Sequence, residues 1–268
     1  MISGIIKEDY CEYVLYFICY LSDEFKQKIH ERLTAICYGE SLSESSSMIY
    51  SYRETVKEFL RRYKTNNNAS EDRKKGLIGE LLVHVILDDE ERFTTTSPYF
   101  NMEERSFRKG YDIILFEGAT NEIWIAEVKS GEKKNTQKNA SSGVVGLINT
   151  AKNDLKKRLN ESNSSLWMNA INAAKVAMSD SNCQKDAVRE LLEKYADGSV
   201  ENTNSSKTFN VVLAGILFHP MTEYMEEQIV KQKYDKIIKE ALFNKVLVIA
   251  IQEETFEDVY NFLESEVK

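Results

Sequence analysis

The stretch YDIILFEGATNEIWIAEVK, residues 111–129, consists of two apolar runs that are joined by a short polar turn. Successive residues of a β-strand face opposite sides, so Glu127 and Lys129 lie on the same face of the second run. Asp112 interrupts the start of the first run in a similar way. The pattern predicts a β-hairpin in which an otherwise apolar face ends in ionisable side chains.

The register of this hairpin determines which charges meet. If the runs pair as antiparallel strands with Phe116 opposite Ile123, Asp112 lies opposite Glu127, and directly opposed β-carbons are about 4.5 to 5.5 Å apart. Two carboxylates held about 4 Å apart repel each other by roughly 4 kcal/mol at an effective dielectric near 20. A positive species is therefore expected between them: a divalent cation, the ammonium group of Lys129, or a proton that raises the pKa of one carboxyl group.

The residue types around the pair indicate which metal ion would fit. Neither His nor Cys occurs in the hairpin. All-oxygen ligation favours a hard ion such as Mg²⁺, with Mn²⁺ as a substitute. Lys129 would then stand beside the ion, where it could position a water molecule or neutralise a developing charge.

A helix predicted upstream of the hairpin carries a further carboxylate. This helix is expected to be capped by Ser70, and Glu80 lies beside its apolar stripe. Glu80 is a candidate metal ligand, with a plain surface glutamate as the alternative. Gly76 and Gly79 each cost the helix about 1 kcal/mol of propensity, which predicts the close approach of another backbone.

The composition is that of an ordinary globular protein. Of 268 residues, 42% are hydrophobic and 29% are charged, which allows one large domain or a core with a helical extension. The first ten residues include acidic ones where a signal peptide would be apolar, and the apolar run 13–21 is shorter than the roughly 20 residues of a membrane span. The cysteines form no CxxC pair, which argues against a zinc site and indicates a reducing cytoplasm; they are Cys11, Cys19, Cys37 and Cys183.

Charge is distributed unevenly along the chain. The net charge is -8, yet the segment 129–158 contains eight basic and only two acidic residues. A basic segment directly after a candidate metal site predicts binding of a phosphate backbone, with a solvated helix face as the alternative. The predicted DNA-binding residues are Lys133, Lys134, Lys138, Lys152 and Lys156.

The order of predicted elements indicates an α/β fold with a central mixed sheet. The apolar runs 210–218 and 245–251 lack clean alternation and are expected to be buried strands with helices on both faces. Residues 10–21 fit a strand or a helix, a short strand is expected within 92–107, and 197–206 is typical of a linker. Further helices are predicted at 23–38, 48–64, 144–159, 166–178, 185–195, 221–243 and 256–263.

The spacing of the hairpin carboxylates is also that of a known signature. Asp112, followed by Glu127-Val128-Lys129, resembles the PD-(D/E)xK nuclease superfamily, with Tyr111 in place of the proline of that signature. The resemblance implies a restriction-endonuclease-like core over residues 70–268, with a helical insertion at about 160–206. The N-terminal α/β region, residues 1–69, becomes a candidate for partner docking.

A narrower resemblance is to HamA, the nuclease subunit of Hachiman anti-phage defence systems. It covers residues 70 to about 160 and is carried by GLIGELLVH at 76–84, RKGYDIILFE at 108–117 and IWIAEVKSG at 123–131. It implies a metal-dependent endonuclease that acts on DNA and is restrained by a partner helicase of the HamB type.

The resemblance also assigns roles to single residues. It implies that Asp112 and Glu127 bind the metal ion, with Glu80 as an additional ligand, and that Lys129 is catalytic. Two alternatives stay open. The first alternative to the nuclease is a catalytically degenerate subunit whose acidic flanks dock a larger protein. The second is a regulator that binds nucleic acid through its basic segment without cleaving it.

Overall fold

The structure is a computed structural model that describes residues 2–64, 71–100, 110–161, 163–179 and 183–268. The predicted cap Ser70 and the residues before Gly110 in RKGYDIILFE lie outside these ranges. The strands are β1 (Ile5–Asp9), β2 (Tyr13–Ile18), β3 (Thr94–Thr95), β4 (Ile113–Glu117), β5 (Glu122–Glu132), β6 (Asn210–Phe218) and β7 (Lys245–Glu253). The α-helices are α1 (Asp23–Tyr38), α2 (Glu40–Ser43), α3 (Tyr52–Lys64), α4 (Glu71–Asp89), α5 (Ala140–Leu159), α6 (Ser164–Ala177), α7 (Lys185–Val200), α8 (Glu227–Lys239) and α9 (Glu257–Ser265).

A mixed sheet connects all of these strands, in the order β1-β2-β7-β6-β5-β4-β3. β2, β7, β6 and β5 are neighbours in parallel pairs, whereas β1 with β2, β5 with β4, and β4 with β3 are antiparallel. Helices cover both faces. α1, α3, α4 and α9 share one buried cluster with the sheet, and α5 to α8 share the other. These observations confirm the predicted α/β class with a central mixed sheet.

The hairpin formed by β4 and β5 has the predicted register. Phe116 pairs with Ile123, and the last pair toward the start of β4 is Ile113 with Ala126. Asp112 directly precedes that pair, so it lies opposite Glu127. The faces also alternate as expected, because Ile123 belongs to the cluster under α5 to α8, whereas Ala126 belongs to the cluster under α4.

The parallel strands are buried on both faces, as their sequences predict. All nine residues of β6 and eight of the nine residues of β7 are buried. Residues 10–21, which fit either type of element, contain β2, and this strand pairs with β7. Strands from the predicted N-terminal region therefore lie in the same sheet as those of residues 70–268. α6 and α7 occupy the span predicted as a helical insertion.

The start of α5 and the end of α7 differ from the predicted helix boundaries. The pattern of apolar residues, on which the predictions rest, does not report capping or tertiary contacts. α5 begins at Ala140 rather than at 144, since Asn139 and Ser142 form reciprocal capping hydrogen bonds. The linker predicted at 197–206 is wrong over its first residues, because α7 continues to Val200.

Two other predicted helices are shorter than their apolar patterns. Within 48–64, a short 3-10 helix, Met48–Tyr50, precedes α3. Within 221–243, regular helix is confined to α8, Glu227–Lys239. Within the described residues, no helix combines the length and the apolar character that crossing a bilayer requires.

The two glycines of α4 have different surroundings. A β-carbon built on Gly79 would lie 2.5 Å from the β-carbon of Ser130 on β5, whereas one built on Gly76 meets no described atom within 4 Å. The close approach predicted for Gly79 is therefore present, although its partner is a short side chain rather than backbone. The same prediction for Gly76 is wrong.

This difference gives a matched pair of substitutions in one helix. Gly76→Ala is expected to raise the free energy of unfolding by about 0.5 to 1 kcal/mol, because alanine restricts the unfolded chain and favours helix. Gly79→Ala is expected to lower it by about 1 to 3 kcal/mol, because α4 must move away from β5. Urea denaturation of the two variants measures both values. Equal shifts would contradict the close packing of α4 on β5.

Candidate active site

Asp112 and Glu127 lie together at the end of the hairpin. The Asp112 side chain is held by the backbone of the neighbouring strand, since Val128 N donates to Asp112 Oδ2 at 2.9 Å. Glu127 is fully buried, with 0% of its surface exposed. The structure thus brings together the two carboxylates that the hairpin register predicts.

Lys129 completes the predicted group. Its Nζ lies 2.7 Å from Glu127 Oε1, and a second carboxylate, Asp154 Oδ2 on α5, is 3.2 Å away. The ammonium group is therefore held between β5 and the helix that follows it. Asp112, Glu127 and Lys129 form one continuous cluster.

The structure adds a second cation that the sequence alone did not single out. Arg158, in the last turn of α5, donates from Nη2 to Glu127 Oε1 at 2.8 Å. Its Nη1 donates to the carbonyl oxygen of Gly110 at 3.3 Å and lies 3.7 Å from Asp112 Oδ1. One signal could have found it: Asp154 and Arg158 are four residues apart and share a face of the helix that follows β5.

The Glu127 carboxyl group is unusual within the cluster. Its Oε2 is buried and has no hydrogen-bond partner among the described residues. Burial and, to a smaller extent, the Asp112 carboxylate raise the pKa of Glu127 to about 7, although Arg158 and Lys129 act in the opposite direction. The positive species expected between the carboxylates therefore includes two side-chain cations, and one carboxylate oxygen still lacks a partner.

The donor set is compatible with a hard metal ion. Both carboxylates supply oxygen ligands, and Mg²⁺ is commonly held by one or two carboxylates while it keeps several waters. The buried Oε2 of Glu127 is an acceptor that such an ion would satisfy. Among the residues that the structure describes, no group of three or more His, Cys, Asp and Glu side chains could hold a metal. The residues present thus fit an ion with two protein carboxylates, and Mg²⁺ or Mn²⁺ stays a prediction.

Glu80 is not brought to this pair. Its helix, α4, packs on the face of the sheet that carries Trp124, Ala126 and Val128, whereas Glu127 points to the opposite face. Glu80 instead lines a small cavity of about 90 Å³ together with Phe59, Arg62, Leu77, Tyr99 and Phe100. The proposed metal site below therefore contains no contribution from Glu80.

The predicted DNA-binding lysines have different environments. Lys152 is buried, with 6% of its surface exposed, and pairs with Glu240, the residue that directly follows α8. It is therefore absent from the DNA-binding surface proposed below. The others lie on the half-buried or exposed surface of the segment that leads from β5 into and along α5: Lys133, Lys134, Lys138 and Lys156.

A cleft lined mostly by polar and charged residues runs beside the C-terminal half of α5. It has a volume of about 780 Å³, and its lining includes Lys156 and Lys157 from α5 and Lys207 from the turn before β6. Glu161 is the acidic residue of the lining. Lys156 and Lys157 line the cleft and Arg158 contacts the carboxylate cluster, so the cleft and the cluster share the last turn of α5. Lys207 was not predicted, since nothing local in the sequence relates it to α5.

The comparisons with known proteins bear on the whole of this arrangement. The HamA family model matches residues 7–266. The chain belongs to the HamA family. A comparison with curated proteins finds none that matches the chain. As a HamA protein, it is a component of a Hachiman defence system. The HamA match extends well beyond 70–160 and includes most of β1, all of β2 and the helices α6 and α7.

Proposed function

We propose that this HamA protein is a metal-dependent DNA nuclease that acts as the effector of its defence system and is restrained by a partner helicase of the HamB type. The observation that carries the proposal is the cluster of Asp112, Glu127 and Lys129 at the end of one hairpin, with the unpartnered, buried Oε2 of Glu127. Phosphodiester hydrolysis requires groups of this kind: hard oxygen ligands beside a fixed cation.

The protein side of the mechanism follows from the contacts. Asp112 and Glu127 would hold the metal ion, and the Val128 amide fixes the Asp112 carboxylate in place. When bound, Mg²⁺ supplies Lewis-acid stabilisation and lowers the pKa of a water nucleophile. Lys129, held by Asp154, places a positive charge beside the ligands, where it orients that water or stabilises the negative charge of the transition state.

The substrate would be held by the basic surface that adjoins these residues. Lys156, Lys157 and Lys207 come from two distant parts of the chain and converge on one cleft. Lys133, Lys134 and Lys138 extend the positive charge along the connection from β5 to α5. Contacts of this kind bind phosphates without reading bases, so the proposed activity is independent of DNA sequence.

Removing charge from the cleft tests this surface. The double variant Lys156→Met, Lys207→Met is expected to bind a short DNA duplex about tenfold more weakly near 0.1 M salt. Its plot of log affinity against log salt is expected to be shallower by about 2, one for each lost phosphate contact. Fluorescence anisotropy measures both values. Lys231→Met is the control, because Lys231 is paired with Asp235 on α8 and does not line the cleft. An unchanged slope in the double variant would remove the cleft from the proposal.

One observation favours a second candidate, a nuclease-fold subunit that binds its partner without cleaving DNA. Lys129 and Arg158 both form ion pairs with Glu127, so this carboxylate has side-chain counter-ions of its own. The deciding experiment is to purify the chain together with the protein that is encoded beside it. Plasmid cleavage is then measured in Mg²⁺ and in EDTA, before and after the two proteins are separated. Mg²⁺-dependent cleavage that appears or increases on separation supports the restrained nuclease, and no cleavage in either state supports the degenerate subunit.

A further inference from the structure

The Arg158 guanidinium lies between the two carboxylates of the candidate site. Nη2 donates to Glu127 Oε1 at 2.8 Å, and Nη1 is 3.7 Å from Asp112 Oδ1. The same Nη1 donates to the carbonyl oxygen of Gly110, just before the strand that leads from Asp112. A single planar group therefore links both candidate metal ligands to the end of α5.

We infer that Arg158 is the counter-ion of the two carboxylates and that it must leave them before a divalent ion can bind to both. The inference rests on the proposed function for the presence of the metal. Arginine stays charged at any accessible pH, so it cannot make room by losing a proton. A divalent cation that bonds Asp112 and the unpartnered Oε2 of Glu127 would be repelled by the guanidinium group, whose Nη1 is 3.7 Å from Asp112 Oδ1. Displacement of the side chain is the remaining route.

The surroundings of Arg158 allow that displacement. The side chain is about one quarter exposed, at 23%, and it lies in the last turn of α5 rather than in the middle of the core. Lys129 stays on Glu127 when Arg158 leaves, because it is held independently by Asp154. The neighbouring cleft would offer phosphate oxygens when DNA is bound, and a guanidinium group binds these in a bidentate manner.

Binding of the metal ion would therefore depend on whether the Arg158 side chain contacts the carboxylates or is displaced from them. In the absence of DNA, Arg158 competes with the metal ion for the two carboxylates. Bound phosphate favours the displaced position, so DNA and metal strengthen each other's binding through the same group. Arg158 is thus a positioning residue that keeps the site poor in metal until substrate arrives.

The test is a direct measurement of metal affinity. Isothermal titration with Mg²⁺ is carried out in the absence of DNA on the wild-type chain and on Arg158→Met, at pH 8.5 so that Glu127 is ionised. We expect Arg158→Met to bind Mg²⁺ at least tenfold more tightly than the wild type. Arg158→Lys keeps the charge but not the planar fork, and its affinity is expected to lie between the two. Arg189→Met, on α7, removes an arginine that pairs with Asp186 and Glu193, and it should leave the affinity unchanged.

Each outcome separates this inference from the nuclease assignment. Equal or weaker Mg²⁺ binding by both Arg158 variants overturns the competition, even if the wild type cleaves DNA. Tighter binding by the variants without any cleavage supports the competition and contradicts the nuclease. Absence of Mg²⁺ binding by every form overturns both. Circular dichroism in EDTA verifies that each variant is folded, and Arg158→Lys provides the comparison if Arg158→Met does not fold.

Discussion

Glu127→Gln is expected to reduce Mg²⁺-dependent cleavage of plasmid DNA by about a thousandfold or more. The substitution keeps the size of the side chain but removes its negative charge, and with it one of the two carboxylate ligands. The amide also places a donor group at or beside the buried oxygen that lacks a partner. Cleavage is measured as the rate of supercoiled plasmid loss at saturating Mg²⁺.

Lys129→Ala is the companion variant with a different expected signature. It should lower the cleavage rate by about a hundredfold or more, since it removes the positive charge beside the reacting phosphate. Both carboxylates remain, so its Mg²⁺ binding should persist, whereas that of Glu127→Gln should weaken. Lys231→Ala, at a paired surface lysine of α8, serves as the control and should cleave at the wild-type rate. Wild-type rates in either site variant would overturn the assignment.

DNA binding in EDTA separates lost chemistry from lost substrate capture. Both variants are expected to bind a duplex about as well as the wild type, because the cleft lysines are untouched. A regulator that only binds DNA would also show unchanged binding, but it would show no Mg²⁺-dependent cleavage in the wild type.

The second large effect concerns stability and comes from His84. This residue is buried in α4, with 1% of its surface exposed, and neither ring nitrogen has a hydrogen-bond partner among the described residues. Burial lowers the pKa of His84 to about 4, and the nearby Asp88 carboxylate only partly opposes this shift. Tyr99 packs against the ring edge to face at 5.5 Å. The fold therefore accepts this imidazole only in its neutral form.

The sign of the pH dependence follows from that preference. The pKa of His84 falls from an ordinary value of 6.5 to about 4 on folding, so the unfolded chain binds a proton more readily than the folded one between these values. The contribution of His84 to the free energy of unfolding is fully present above its pKa in the unfolded chain. It is lost as the pH falls toward the pKa of His84 in the folded protein. This single group should cost the wild type about 2 to 3 kcal/mol between pH 7.5 and pH 4.5.

His84→Leu should remove this cost and the two unpaired nitrogens together. At pH 7.5 the variant is expected to be more stable than the wild type by about 1 to 3 kcal/mol, because the two unpartnered ring nitrogens are no longer buried. The difference should then grow by about 2 to 3 kcal/mol on acidification to pH 4.5. Urea denaturation at both pH values measures the two numbers, and the comparison with wild type cancels other titrating groups. A difference that does not change with pH would contradict the environment described for His84.

The sequence predicts the hairpin well because its determinants are local. Alternation fixes the faces of β5, and the short turn fixes the pairing of Phe116 with Ile123, so the positions of Asp112 and Glu127 follow. Burial of β6 and β7 is equally visible, since strands covered on both faces have continuous apolar sequences.

Two site predictions that the structure does not support, those for Glu80 and Lys152, depend on the placement of whole helices. Glu80 has a plausible position along its helix, but α4 lies on the face of the sheet away from Glu127. Lys152 belongs to a basic segment, yet it turns toward α8 and is buried against Glu240. The local sequence pattern predicts neither of these two positions. An amphipathic stripe shows that a helix packs against the core, but not on which face of the sheet it does so.

The sequence by itself determined an α/β fold, the hairpin and the pairing of Asp112 with Glu127 beside Lys129. Only the tertiary structure decided which cations contact these carboxylates. Arg158 on α5 lies 31 residues after Glu127 in the sequence and contacts it in the fold. The physical reason is one of range. Strand alternation and hairpin pairing act over a few residues, whereas the charge balance of a buried carboxylate depends on every group that packing brings within a few ångströms of it.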